Sequence, residues 1–105
     1  MSHSQWQSQE SGAISLTGEL TREFVPGLWA FIKDWKPATD KVEISLCEAS
    51  RIDSSGMALL IHLIEHAKKF NCHIMLTFVP DELLTLFQIS NVDSMMAKHI
   101  GHTKN

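Results

Sequence analysis

The sharpest chemical pattern in this sequence is His62-Leu63-Ile64-Glu65-His66, the H-x-x-E-H spacing of inverted zinc metallopeptidases. Histidines four apart on a helix share a face, and Glu65 lies beside them as a general base for metal-bound water would. Yet the 39 residues after His66 are too few for the substrate-binding domain such peptidases carry, and they contain a single glutamate, Glu82. The pair also falls opposite the apolar side of its helix. A solvated helix surface is the expected role, and no metal site is expected.

A second group, Asp53-Ser54-Ser55-Gly56, offers a carboxylate and two hydroxyls that a histidine could complete into a hydrolase triad. No G-x-S-x-G elbow is present, however, and no feature of the sequence places a histidine beside Ser54. What these residue types do well at this position is cap. Their short side chains accept hydrogen bonds from the unpaired N–H groups of a first helical turn, worth about 1 kcal/mol to the helix that follows. A phosphate on Ser54 would add up to about two negative charges at a helix N-terminus, where the dipole tolerates them. It would leave the fold intact while repelling an acidic or apolar partner. The five glycines are scattered at positions 12, 18, 27, 56 and 101, so there is no phosphate-cradling loop. Neither catalytic residues nor a cofactor are expected.

The elements that position these groups follow from periodicity. Ala13-Ile14-Ser15-Leu16-Thr17 and Lys41 to Leu46 alternate apolar and polar residues, the pattern of half-buried strands. His73 to Val79 is nearly continuous in apolar residues and reads as a central strand. Between them, Arg22 to Trp35 carries apolar residues at helical spacing, with Pro26 tolerable only in a first turn. Met57 to Phe70 does the same over a broad arc, with Asn71 as a stop. Pro80-Asp81-Glu82 opens a short helix ending near Ser90-Asn91, and Val92 to Ile100 forms a last short helix before a polar tail. Residues 3 to 9 could supply an edge strand. This order implies an α/β fold in which crossover helices pack on a sheet.

At 105 residues the chain is one domain, with its core over about residues 12–95 and polar termini. A net charge of −3 gives no electrostatic footprint for nucleic acid. Cys47 and Cys72 sit in apolar runs without a C-x-x-C pair, as reduced core residues of a cytosolic protein do. The N-terminus lacks the basic and apolar regions of a secretory signal, and no apolar run is long enough to span a bilayer. A cytoplasmic protein that does not itself insert into the membrane is therefore expected. Trp29 and Trp35 are expected in the core. Trp6 and exposed leucines could support a homodimer of the isolated chain.

Asp53-Ser54-Ser55-Gly56 followed by Met57-Ala58-Leu59-Leu60, with Thr17-Gly18-Glu19-Leu20 upstream, resembles the STAS domain of anti-sigma factor antagonists and transporter regulatory proteins. The run from Gly56 through His62-Leu63-Ile64 to Ala67-Lys68-Lys69 looks like the small STAS subunits of bacterial phospholipid ABC transporters. The resemblance covers roughly residues 12 to 95 and implies a mixed β-sheet with helices packed on it. It also implies a non-catalytic regulatory or assembly subunit at the inner membrane that binds the transporter's cytoplasmic ATPase. Ser54 occupies the position of a functional threonine in the transporter subunits and of the phosphorylated serine in the antagonists. Ser55 stands where the transporter subunits tend to have glycine, so this loop alone looks closer to the antagonists. The expected contact residues are Asp53, Ser54 and Ser55, with Ile52, Gly56 and Leu59 shaping the surface and the Pro80 to Ser90 helix adjacent. The alternative is an antagonist regulated by phosphorylation of Ser54.

Overall fold

The computed structural model describes residues 3–103. In chain order it forms β1 (Trp6–Ser8), β2 (Ile14–Leu16), β3 (Gly18–Leu20), α1 (Val25–Ile32), β4 (Lys41–Ser45), β5 (Ala49–Ile52) and α2 (Ser54–Lys68). There follow β6 (His73–Val79), α3 (Asp81–Ile89), α4 (Asp93–Met96), a 3-10 turn over Ala97–His99 and β7 (Ile100–Thr103). The expected strands and helices are present. Three short strands, β3, β5 and β7, add to them.

Five strands make one sheet in the order β1-β2-β4-β6-β7. β1 is the expected edge strand, antiparallel to β2 with Trp6 opposite Leu16. The other pairs are parallel, with Ile14 opposite Ile44 and Ile44 opposite Leu76. β6 is flanked on both sides, which accounts for its apolar run. At Gly18 (φ +76°) the chain turns from β2 into β3, a conformation that favours glycine, and β3 pairs in parallel with β5 as a separate two-stranded ribbon.

Alternation along the strands sends Val42, Ile44, Ile74 and Leu76 into the core, where Leu60, Leu63 and Ala67 of α2 and Leu28 and Ile32 of α1 meet them. Lys41, Glu43, Met75, Thr77 and Gly101 line an open depression of about 490 Å³ on the opposite face. Both longer carboxyl-side helix ends use asparagine in the left-handed region: Asn71 (φ 58°) after α2 and Asn91 (φ 62°) after α3. Beyond each, the next N–H reaches back to a helix carbonyl, Cys72 to Ala67 and Val92 to Phe87.

Several expectations need correction. Trp6 is buried, packed edge-on against Trp35 at 5.0 Å and against Phe31 at 5.7 Å, so it anchors β1 over α1 and is not available to a dimer. The large exposed apolar residues are Phe24, Phe70, Phe78, Ile89 and Met95, with no leucine among them. Cys72 is buried but Cys47, just past the end of β4, is exposed, and both are free. Burial first, and then the charge of Asp40, raises the Cys72 thiol above its ordinary value. Trp6 and β7 extend the sheet beyond residues 12–95. Of the polar termini, residues 1–2 and 104–105 lie outside the described residues. No helix among the described residues is long and apolar enough to cross a membrane.

His99 closes the fold beneath β7. It is 2% exposed, its Nδ1–H donates to the Ile74 carbonyl at 2.8 Å, and its ring stacks on His73 at 4.6 Å. Burial lowers its pKa below 6.5; the bond to Ile74 opposes this, while the charges of His73, Lys68 and Lys98 add to it. The unfolded chain therefore binds the proton more readily. Stability from this site is fully present above about pH 6.5 and is lost as pH falls through the lowered native value. Urea midpoints should decline in that window for the wild type, and less for His99→Gln, which keeps a donor for Ile74.

Candidate interaction site at the start of helix α2

The site is built by the ribbon. β5 runs alongside β3 and delivers Asp53, whose N–H donates to the Leu20 carbonyl at 3.3 Å. Asp53 then caps α2 as the sequence predicts: Oδ1 accepts from Ser55 N–H at 2.9 Å and Gly56 N–H at 3.1 Å. Its other oxygen, Oδ2, accepts from Arg22 N–H at 3.1 Å. One carboxylate thus ties the α2 start to the loop leading into α1. Burial alone would raise the Asp53 pKa, but the bonds from Arg22, Gly56 and Ser55 and the charge of Arg51 outweigh it, holding the carboxyl below its ordinary 3.8.

Gly56 makes this junction possible. A Cβ there would run into the Leu20 carbonyl and come within 2.9 Å of Ile52 Cγ2 and 3.0 Å of Leu20 Cβ, so α2 sits directly on the ribbon. The six expected site residues divide accordingly. Ile52, Gly56 and Leu59 are buried and support the site from beneath, Asp53 and Ser55 are half-buried, and Ser54 is exposed.

Ser55 stands at the lip of an apolar groove of about 410 Å³ between α1 and α2, lined also by Val25, Pro26, Trp29, Ala58, Leu59 and His62. A second, polar depression of about 320 Å³ is lined by Glu19, Thr21, Arg22, Glu23, Arg51 and Asp53. The groove is the part that sequence reasoning missed. Its signal was the excess of apolar residues in α1: only Leu28 and Ile32 are fully buried there, leaving Val25 and Trp29 for the groove and Phe24 exposed.

The topology gathers these features at one end. Because the strands are parallel, each crossover helix runs back along the sheet, so α1, α2 and α3 all begin at the strands' carboxyl end.

In the H-x-x-E-H motif His62 and Glu65 are exposed, as expected, and only His66 departs from a solvated face. His66 is half-buried between the helices, with its ring 6.3 Å from Trp35 and 5.3 Å from Phe70. Its Nε2 lies 2.6 Å from the Trp35 carbonyl. A carbonyl only accepts, so that nitrogen carries the hydrogen and has no lone pair to offer a metal. His62 leans on Trp29 at 5.7 Å. Among the described residues no three histidine, cysteine, aspartate or glutamate side chains are placed to hold a metal ion.

A mixed sheet with crossover helices on one side, ending in an aspartate-capped Ser-Ser-Gly helix start, is the arrangement that the resemblance to STAS domains implies. The fold matches the unphosphorylated anti-sigma factor antagonist SpoIIAA with a TM-score of 0.70 at 19% identity, over 95% of this chain and 89% of that one. It also matches a sulfate transporter family protein from Wolinella succinogenes with a TM-score of 0.67 at 15% identity, over 84% of this chain and 73% of that one. Residues 3–98 match the family model described as "Mlab, STAS domain". Relatives from several bacteria bear the name intermembrane phospholipid transport system binding protein MlaB. That of Escherichia coli K12 is 33% identical over 92 residues, covering 88% of this chain and 93% of the relative. That of Haemophilus influenzae is 28% identical over 102 residues, covering 90% and 97%. The chain belongs to the MlaB STAS-domain family.

Proposed function

We propose that this chain is a non-catalytic subunit of a phospholipid ABC transporter, lying at the cytoplasmic side of the inner membrane. It binds the transporter's ATPase subunit, an MlaF-like protein, through the Asp53 to Gly56 helix start and the adjoining start of α3. The observation that carries this reading is the exposed Ser54 hydroxyl on a rigidly capped helix end, next to an apolar groove lined by Trp29 and Ala58. Such a surface has the apolar centre and polar rim of a protein contact. The name of the relatives supports a place in a phospholipid transport system.

One observation favours a second reading. Ser54 is an exposed hydroxyl at a helix N-terminus with Ser55 beside it, the arrangement an antagonist would offer to a serine kinase. Co-expression with the ATPase subunit tests the choice. A stable complex with the unmodified chain, verified by intact mass, is the expected result. Absence of that complex, together with stoichiometric phosphate on Ser54 after incubation with a serine kinase, would establish the second reading instead.

A further inference from the structure

We propose that Phe78 is an anchor residue of the same contact surface, its ring held outward by a strained backbone to enter an apolar pocket on the ATPase subunit. This inference rests on the proposed function and adds a residue to it from outside the helix start. Phe78 has φ +54°, a conformation that a bulky L-residue rarely adopts. Period-2 alternation would send it into the core after Ile74 and Leu76. Instead the pairing of β6 with β7 shifts between Thr77 and Val79, Val79 takes the buried place, and Phe78 is left 48% exposed.

The shift seats Val79 fully in the core, and it does so at the cost of backbone strain and an aromatic ring left in water at Phe78. Strain of this kind gathers at functional sites, and bulges re-aim side chains next to them. The location fits. Phe78 is the penultimate residue of β6, at the carboxyl edge of the sheet, the edge where α2 begins with Ser54 and where Phe24, 46% exposed, precedes α1. Two exposed phenylalanines thus share the end of the molecule that carries the groove. Aromatic anchors surrounded by weaker polar contacts are the usual energetic centre of a protein interface. Phe70, 40% exposed just past the far end of α2, supplies an internal control.

The test measures binding of the ATPase subunit and thermal stability for the full chain and its variants. Asparagine adopts positive φ readily, so Phe78→Asn relieves the strain while removing the ring. It should weaken binding by about tenfold or more while the melting temperature stays within about 4 °C of the wild type or rises. Phe78→Gly, which takes this conformation without steric cost, should do the same. Phe70→Ala should bind within about twofold of the wild type. Unchanged binding by Phe78→Asn beside lost binding by Ser54→Glu would overturn the inference and leave the proposed function standing. A larger fall in melting temperature in both Phe78 variants would make the ring structural and also overturn it. No binding by the wild-type chain would remove the proposed function and the inference together.

Discussion

Gly56→Ala is expected to destabilise the domain by about 2 to 3 kcal/mol, lowering the melting temperature by about 10 °C. The added methyl meets the Leu20 backbone carbonyl, with Ile52 Cγ2 and Leu20 Cβ close behind. A backbone carbonyl in a paired strand cannot swing aside as a side-chain tip can. Either α2 lifts away from the ribbon or β3 moves, and each response disturbs the bonds that Asp53 accepts from the N–H groups of Arg22, Ser55 and Gly56. Gly27→Ala provides the contrast. Gly27 lies within α1 with nothing within 4 Å of its would-be Cβ, so alanine there should stabilise by about 0.5 to 1 kcal/mol through helix propensity. Thermal melts of the two variants should move in opposite directions. Equal shifts would show that the close approach at Gly56 is not what seats α2.

Ser54→Glu is expected to leave the fold intact and weaken ATPase binding by about 30-fold or more, equivalent to about 2 kcal/mol. Ser54 is the first residue of α2 and is exposed, so a carboxylate there is solvated in the free chain and meets the favourable end of the helix dipole. Its melting temperature should match or exceed the wild type. In the complex the same charge would lose water without a partner placed for it, next to an apolar groove. Ser54→Thr keeps the hydroxyl and should bind within about threefold of the wild type. The pair separates the chemistry of the contact from folding: Ser54→Glu that melts normally and binds like Ser54→Thr would remove this surface from the interface.

The start of α2 was legible because capping is local. An aspartate followed by two serines and a glycine ahead of an apolar-periodic run specifies a helix start within four residues, and Asp53 performs that role. The main strands and helices were legible for the same reason, since alternation and helical spacing are written along the chain. What escaped depends on residues far apart in sequence. Trp6 looks solitary until Phe31 and Trp35 of the α1 region close over it. His66 looks solvated until the end of the preceding helix offers the Trp35 carbonyl. β3, β5 and β7 carry too few apolar residues to mark a strand on their own and exist through their pairing. The groove belongs to two helices at once. Phe78 escaped because period 2 places it inward, and only the bulge between β6 and β7 turns it out.

In the proposed complex a partner ATPase covers the carboxyl end of the sheet around the α2 start. Amide hydrogen exchange of the chain alone and in the presence of the ATPase subunit tests it directly. Added protection should fall on residues 22–29 at the start of α1, 54–62 of α2 and 78–84 at the end of β6 and the start of α3. Protection confined to the open sheet face, along 41–45 and 73–77, or to the far end of α2 near Phe70, would contradict the account.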